Sequence, residues 1–336
     1  MKRKIWAIIF PFLAVMLLFW HCETDVDLND EWQDIPVVYS ILSQNDEVHH
    51  VRVNRAFLGK GDALQMASQL DSITYDPGVL EVRLLEKSGD AIQREFLLDT
   101  VLVDNVEPGV FSYPEQIVYR TPGKIKLSPD YTYELEIYNT ERDKYIEGET
   151  DLIHDFSIKR PMAGQKFWNF ASKFSSEVSW FTAENGRLYE LSIHAFYTNY
   201  HDNGDIEKKT LEWNFPRKEA ATLSGGNEMS MEIMGEQFYV LIKNTVQEIS
   251  GIERTMDSVR FKVSVADDEF NTYMKINRPS SGIVQERPEY SNVSNGIGLV
   301  ASRYSKGRTV ELTSVSQDSL VNGQHTYHLG FVKPIP

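Results

Sequence analysis

The sequence has 336 residues, of which 41% are hydrophobic and 12% aromatic, so most of the chain can build buried cores and intrinsic disorder is excluded. Acidic residues outnumber basic ones and the net charge is −15 at pH 7, which argues against nucleic acid and anionic lipid surfaces as partners. The single cysteine cannot form an intramolecular disulfide, so packing must supply the stability.

The first 21 residues have the pattern of a secretory signal peptide. Lys2, Arg3 and Lys4 precede the apolar run Ile5–Trp20, which is shorter than the roughly 18–20 residues that cross a bilayer comfortably. The pattern predicts an exported chain that begins, after cleavage, at Cys22. The net charge then becomes more negative, because the three basic residues leave with the signal.

The residues before Cys22 resemble a bacterial lipobox, which ends in the cysteine that receives the lipid. This resemblance implies that Cys22 is acylated, and each buried CH₂ of an acyl chain contributes about 0.8 kcal/mol to membrane binding. Phe19 and His21 depart from the pattern, which has Leu and a small residue at these positions. The alternative is an uncleaved signal anchor with Cys22 as a free thiol.

Residues 22–34 are predicted to be a lipidated, polar tether. Its acidic residues Glu23, Asp25 and Asp27 resemble the signal that sends Bacteroidota lipoproteins to the outer face of the outer membrane. A Ca²⁺ loop starting at Asp25 lacks the turn glycine at its sixth position and the bidentate glutamate at its twelfth. No metal site is predicted here.

Residues 35–158 are predicted to form an N-terminal β-sandwich domain of the immunoglobulin type. Val37–Leu42 and Val48–Val53 alternate apolar and polar residues around a short turn, which predicts a hairpin. A helix around Ala63–Ala67 is predicted in the loop that follows. Turn signals about every ten residues then separate short strands, as is typical of a sandwich. These strands are predicted at Leu80–Leu85, Phe96–Val103, Ile117–Tyr119 and Tyr131–Ile137.

Residues 163–336 are predicted to form a second, mainly β domain, again an immunoglobulin-like sandwich but with short helices. The domain opens with an aromatic cluster at Phe167, Trp168, Phe170 and Phe174, which we interpret as core packing rather than a ligand platform. Two hairpins follow, and Asn-Gly dipeptides mark their turns. The first joins Val178–Thr182 to Tyr189–Tyr197, and the second joins that strand to Leu211–Phe215.

The later part of this domain alternates helices and strands. Phe238, Leu241, Ile242, Val246 and Ile249 recur at helical spacing, as do the apolar residues from Phe270 to Asn277 behind an acidic cap at Asp267-Asp268. A strand is predicted between these helices. It covers Val259–Val265, and further strands are predicted at Gly296–Tyr304, Arg308–Thr313 and Tyr327–Val332.

Four residues have side chains that could bind a metal ion or act as a nucleophile, and the local sequence argues against such a role for each. His49 and His50 are adjacent on a strand and face opposite sides, so they cannot chelate one ion. His201 lies in a turn with aspartates and is interpreted as a turn tip. Ser294 lacks the leading glycine and the strand-to-helix context of a nucleophile elbow. No catalytic residue, metal site or cofactor is predicted.

Several stretches together resemble a large family of Bacteroidota outer-membrane lipoproteins whose shared domain has no known function. They are Cys22–Asp27, Val37–Val53, Tyr131–Asp151, the aromatic hairpins of the second domain, and Pro288–Gly298. Members are often encoded beside TonB-dependent receptors, so the resemblance implies an accessory role at an outer-membrane β-barrel. It carries over no catalytic residue.

These observations predict a non-catalytic accessory or binding module, lipid-anchored at the cell surface and serving an outer-membrane β-barrel such as a TonB-dependent receptor. The alternative is a structural subunit of an outer-membrane assembly or secretion machine. A third reading is a hydrolase that acts on an extracellular polymer. The sequence does not identify the ligand.

Overall fold

The computed structural model of the chain describes residues 33–58, 73–104, 115–171, 175–277 and 290–334. Strands dominate these ranges, which confirms that the protein is mainly β. The predicted signal peptide, Cys22, nearly all of the tether and the predicted loop helix lie outside the described residues. Within the described ranges, no helix is both long enough and apolar enough to cross a membrane.

The described chain up to residue 151 forms eight strands. They are β1 (Gln33–Leu42), β2 (His50–Leu58), β3 (Leu80–Ser88), β4 (Ala91–Leu97), β5 (Asp99–Asp104), β6 (Glu115–Arg120), β7 (Thr132–Asn139) and β8 (Lys144–Asp151). β1 and β2 pair antiparallel, which confirms the first predicted hairpin. On β7 alternate side chains, among them Tyr133, Leu135 and Ile137, are buried, because alternation places one face of a strand on the core.

The described chain after residue 151 adds eleven strands and three α-helices. The strands are β9 (Ile158–Arg160), β10 (Phe167–Trp168), β11 (Ser175–Phe181), β12 (Leu188–Tyr200), β13 (Ile206–Asn214), β14 (Lys218–Glu219), β15 (Glu228–Met234), β16 (Glu253–Ala266), β17 (Val293–Ser294), β18 (Ile297–Leu312) and β19 (Phe331–Val332). The helices are α1 (Gly235–Thr245), α2 (Asp268–Ile276) and α3 (Ser314–Asn322), and a 3-10 turn covers Tyr327–Leu329.

The described strands form three sheets. The largest has the order β13-β12-β16-β18-β1-β2-β6-β5, with β10, β14 and β19 attached to β18, β12 and β16. A second sheet has the order β17-β8-β7-β3-β4, and a third, small sheet has the order β15-β11-β9. The largest sheet unites the two ends of the described chain, because β1 and β18 pair in parallel from Val37–Ile297 to Leu42–Ser302.

Buried hydrophobic side chains form two separate clusters. The first draws mostly on residues 38–152 and combines side chains of β1 and β2 with side chains of the five-stranded sheet. The second draws on residues 153–331. In the second cluster Phe170 and Phe238 stack with their ring centroids 4.2 Å apart. The predicted aromatic cluster therefore packs in a core at Trp168 and Phe170, whereas Phe167 is exposed and Phe174 lies outside the described residues.

Two of the three helices follow the sequence prediction. α1 begins at Gly235, buries Phe238 and Ile242 and ends at Thr245, before the predicted Val246 and Ile249. α2 begins behind Asp267, whose carboxylate accepts a hydrogen bond from the Phe270 backbone N–H. α3 was not predicted. Thr313 caps it, and few of its residues are buried. A helix that buries little surface needs no stripe of apolar residues, so the sequence shows no helical periodicity here.

One predicted hairpin is wrong. Val178–Thr182 and Tyr189–Tyr197 fall largely on β11 and β12, but these strands lie in different sheets. β11 pairs with β9 and β15, whereas β12 pairs with β13, β14 and β16. Asn185 does adopt a positive φ of 63°. The connection passes from one sheet to the other because Val178 and Leu191 are buried in the same core.

Three strand boundaries also differ from the prediction. Phe96–Val103 is divided at buried Leu98, because β4 and β5 belong to different sheets. Gly296–Tyr304 and Arg308–Thr313 merge almost entirely into the single long strand β18. The predicted strand Tyr327–Val332 begins as a 3-10 turn and pairs only at β19.

The contact between β1 and β18 requires a glycine at position 298. Gly298 pairs with Val38 and has a φ of +135°, a conformation that side-chain-bearing residues rarely adopt. A Cβ atom on Gly298 would lie 1.9 Å from the Val38 carbonyl oxygen. Gly296 lies in the same approach, since a Cβ atom there would lie 2.9 Å from the Pro36 carbonyl oxygen.

We expect Gly298→Ala to lower the free energy of unfolding by about 3 kcal/mol or more, because it adds a steric clash to backbone strain. Urea denaturation followed by tryptophan fluorescence measures this change. Gly78→Ala is the matched control, since Gly78 has a φ of +91° but a Cβ added there would meet no atom within 4 Å. Equal losses for the two variants would contradict the steric argument.

Candidate functional site

The residues that the sequence singled out do not assemble into one site. Cys22 lies outside the described residues. His49 is buried and its Nε2 lies 3.1 Å from the Ile125 carbonyl oxygen, and burial lowers its pKa. His201 Nε2 lies 3.8 Å from a Glu207 carboxylate oxygen beside the turn after β12. Ser294 donates a hydrogen bond to the Glu147 carbonyl oxygen at 3.3 Å on β17.

One concave feature of the molecule is an acidic cleft. Its cavity volume is about 450 Å³, and carboxylates predominate among its charged side chains, with one lysine, Lys87. The acidic residues are Asp90, Glu149, Asp151, Asp267, Asp268 and Glu269. Among the described residues, no group of three or more histidine, cysteine, aspartate or glutamate side chains has a geometry that could hold a metal ion.

Asp267 is the most deeply buried carboxylate of this cleft. Its oxygens accept hydrogen bonds from the Phe270 N–H at 2.8 Å, from the Thr150 hydroxyl at 3.0 Å and from the Ser302 N–H. Burial raises the pKa of Asp267 to about 7, although the three hydrogen bonds act to lower it. The chain itself satisfies this carboxylate, so capping of α2 and joining of β8 to β18 explain its position.

A second concave feature, the charged groove, lies where β9, β10, β11, β14 and β15 come together. We define it by the side chains of Arg160, Trp168, Ser176, Glu177, Lys218 and Glu232, and its cavity volume is about 820 Å³. Each of the five strands contributes at least one of these residues. The groove therefore exists only once the small sheet has packed beside the largest one.

The groove contains charges of both signs that do not neutralise one another. Glu177 on β11 lies directly opposite Glu232 on β15, an arrangement of like charges that destabilises a sheet. The Lys218 ammonium donates to the Ser230 carbonyl oxygen. Within the described part of the chain, neither Arg160 nor Lys218 forms a salt bridge with either glutamate. The groove thus presents cationic and anionic side chains that do not pair with one another.

Two buried polar atoms of the groove have no hydrogen-bond partner among the described residues. One is the indole nitrogen Nε1 of Trp168, and the other is the hydroxyl oxygen of Ser176. The Trp168 ring is held by Phe261 at a centroid distance of 4.7 Å and is only 6% exposed. A buried donor without a partner costs about 1–3 kcal/mol, so such atoms are uncommon in the interior of a protein.

Sequence reasoning missed this groove. Its members are dispersed from position 160 to position 232, and they converge only through strand pairing. The one available signal was the aromatic cluster at Trp168, which was interpreted as core packing. Both roles hold for Trp168, because it packs in the core and also lines the groove.

Comparison with known proteins gives one partial likeness. No family model matches the chain. An alignment 176 residues long is 28% identical to a D-alanine–D-alanine ligase of Tolumonas auensis and covers 48% of this chain. The chain spans about half the length, 52%, of the curated relative that it matches.

That likeness corrects three predictions drawn from the sequence. The relative is an enzyme, which overturns the prediction that the chain is not an enzyme and that it is a non-catalytic accessory or binding module. It also overturns the general description of the chain as an accessory protein without known activity. The prediction rested on the lack of a local catalytic motif in the sequence.

Asp267 allows a test based on pH. Its pKa is about 7 in the folded protein and about 3.9 in an unfolded chain, so the folded state retains the proton to higher pH. The stability that this proton supplies is complete below about pH 4 and is lost as pH rises through 7. We expect wild type to lose about 2–4 kcal/mol relative to Asp267→Asn between pH 4 and pH 8.

Urea denaturation across this pH range measures the difference. Asp155→Asn is the matched control with the opposite sign, because Lys306 and Tyr304 lower the pKa of Asp155 despite partial burial. Wild type should gain stability relative to that control as pH rises through the usual carboxylate range. Parallel profiles for wild type and Asp267→Asn would show that burial of Asp267 does not control its ionisation.

Proposed function

We propose that the chain acts on amino acids or short peptides, which bind as zwitterions in the charged groove. The observation that carries this proposal is the presence of Arg160 and Lys218 beside Glu177 and Glu232 without salt bridges between them. A zwitterion supplies one carboxylate and one ammonium group, and it therefore complements both signs of charge. A ligand with a single sign of charge would leave half of these groups without partners.

The dimensions of the groove agree with this class of ligand. Small-molecule sites commonly have volumes of about 300–1,000 Å³, and the groove at about 820 Å³ lies within that range. The space exceeds what one amino acid occupies. A dipeptide or a longer peptide segment is therefore the better fit.

The partial likeness to a D-alanine–D-alanine ligase supports the same class. That protein is named for an activity on D-alanine, which is a zwitterion at neutral pH. The acidic cleft agrees less well, because it offers several carboxylates but Lys87 alone among cationic side chains. D-Alanine and D-alanyl-D-alanine are thus the first ligands to test.

We expect the purified full chain to bind D-alanyl-D-alanine and Glu177→Gln/Glu232→Gln to bind it at least about tenfold more weakly, which corresponds to about 1.4 kcal/mol. Isothermal titration calorimetry measures the affinity, and mass spectrometry of reactions with D-alanine detects dipeptide formation. Glu149→Gln is the control, because Glu149 lines the acidic cleft. A loss of affinity in Glu149→Gln, with none in the double variant, would move the site to that cleft.

We also propose the cellular location that the amino-terminal sequence predicts, the outer-membrane surface with Cys22 as lipid anchor. A lipidated chain would encounter an outer-membrane β-barrel partner at high effective concentration. We expect metabolic palmitate labelling of wild type and none of Cys22→Ser. Equal labelling of both, or membrane retention of the variant, would contradict the anchor.

The finer fold prediction, two immunoglobulin-like sandwich domains over residues 35–158 and 163–336, stands as a further proposal. The two separate clusters of buried side chains support it. Limited proteolysis would test it, because cleavage at exposed Met162, within the predicted joint of residues 151–164, should precede cleavage within either domain.

A further inference from the structure

The outer edge of β5 (Asp99–Asp104) is paired with no strand of the described ranges. β5 lies at one end of the largest sheet, and its partner on the inner side is β6. We infer that this edge pairs antiparallel with β5 of a second copy of the chain, with Leu102 on the two-fold axis between the copies. The inference does not depend on the proposed function, because the residues of the charged groove lie on other strands.

β5 exposes apolar side chains beside its unpaired backbone. Leu102 is 67% exposed and Val103 is 37% exposed, while Val101 is partly buried. The run Thr100–Val103 contains no charged residue. The free N–H and C=O groups of such an edge can template pairing with another strand, and its apolar side chains then gain cover from water.

The other strands at the ends of the three described sheets are either charged or very short. β9 and β17 have three and two residues. Charged residues occupy the remaining three strands: Glu207, Lys208, Lys209 and Glu212 on β13, Arg94 and Glu95 on β4, and Glu228 and Glu232 on β15. Charges on an edge strand discourage pairing with a second chain, because pairing would remove them from water. β5 lacks this protection between its two terminal aspartates.

The sequence of β5 is complementary to itself in one antiparallel register. Opposite residues of a continuous sheet lie on the same face, so a two-fold axis perpendicular to the sheet must place one residue opposite its own copy. With Leu102 on the axis, the opposite pairs are Leu102 with Leu102, Val101 with Val103, and Thr100 with Asp104. The centre of the contact is then apolar, and no like charges lie opposite one another.

The neighbouring registers fit less well. With Val101 on the axis, the charged residue Asp99 lies opposite Val103. With Val103 on the axis, only positions 102 to 104 of β5 lie opposite one another, so fewer backbone groups pair. A shift by a single residue would place opposite side chains on different faces of the sheet. The register through Leu102 therefore gives the longest contact with apolar residues at its centre.

Sedimentation velocity at increasing protein concentration tests the inference. Every sample carries Cys22→Ser, since a disulfide between two copies of the single cysteine would imitate association. Two short strands bury less than a standard interface of roughly 1,200–2,000 Å², so we expect a reversible dimer that forms as concentration rises. A chain that remains monomeric up to about 1 mM would overturn the inference.

A matched pair of lysine variants locates the interface. Leu102→Lys places two ammonium groups opposite each other on the axis, and we expect it to weaken dimerisation at least about tenfold. Ile206→Lys is the control, because Ile206 is 65% exposed and begins β13 at the other end of the same sheet. This control should dimerise within about twofold of the Cys22→Ser parent. Equal weakening by both variants, or weakening by Ile206→Lys alone, would overturn the inference.

Cysteine cross-linking tests the register and needs no charged substitution. Opposite Cα atoms of an antiparallel pair are about 4.5–5.5 Å apart, a distance that a disulfide can span. Leu102→Cys should therefore form a covalent dimer under mild oxidation, as measured on a non-reducing gel. Thr100→Cys is the control, since its two copies would lie four residues apart along the strands, about 13–14 Å. Cross-linking of Thr100→Cys to the same extent, or none of Leu102→Cys, would overturn the inference.

Discussion

The parallel pairing of β1 with β18 is the constraint on which the rest of the structure depends. It holds the first described strand against one near the other end of the chain, and it makes one sheet of strands that serve both cores. The pairing is possible because Gly298 lets the two backbones approach, where a Cβ would meet the Val38 carbonyl oxygen. Without it, β2, β5 and β6 would lose their connection to β12, β13 and β16.

A buried carboxylate reinforces this junction. Asp267 caps α2 and also accepts hydrogen bonds from Thr150 on β8 and from Ser302, which pairs with Leu42 of β1. Removal of a carboxylate from water is unfavourable, and three donors offset only part of that cost. The ionisation of one side chain is thereby coupled to the place where the sheets meet.

The charged groove arises from the same assembly. The small sheet must pack beside the largest sheet before the five strands that line the groove come together. Evolution commonly removes unpartnered buried donors and like charges on opposite strands, because both reduce stability. Here Trp168, Ser176, Glu177 and Glu232 retain such features in one groove. The proposed zwitterionic ligand would offer its ammonium group to this pair of glutamates.

The sequence by itself determined the mainly β class, the hairpin of β1 with β2, the helix that contains Phe238 and the helix that follows Asp267. Alternation, helical spacing and caps act over a few residues, so these features can be recognised locally. Tertiary structure decided which sheet each strand joined. β11 and β12 are neighbours along the chain but pair elsewhere, since burial of both against one core outweighs a short turn between them. The groove was beyond prediction for the same reason: its chemistry depends on contacts between strands that are distant in sequence.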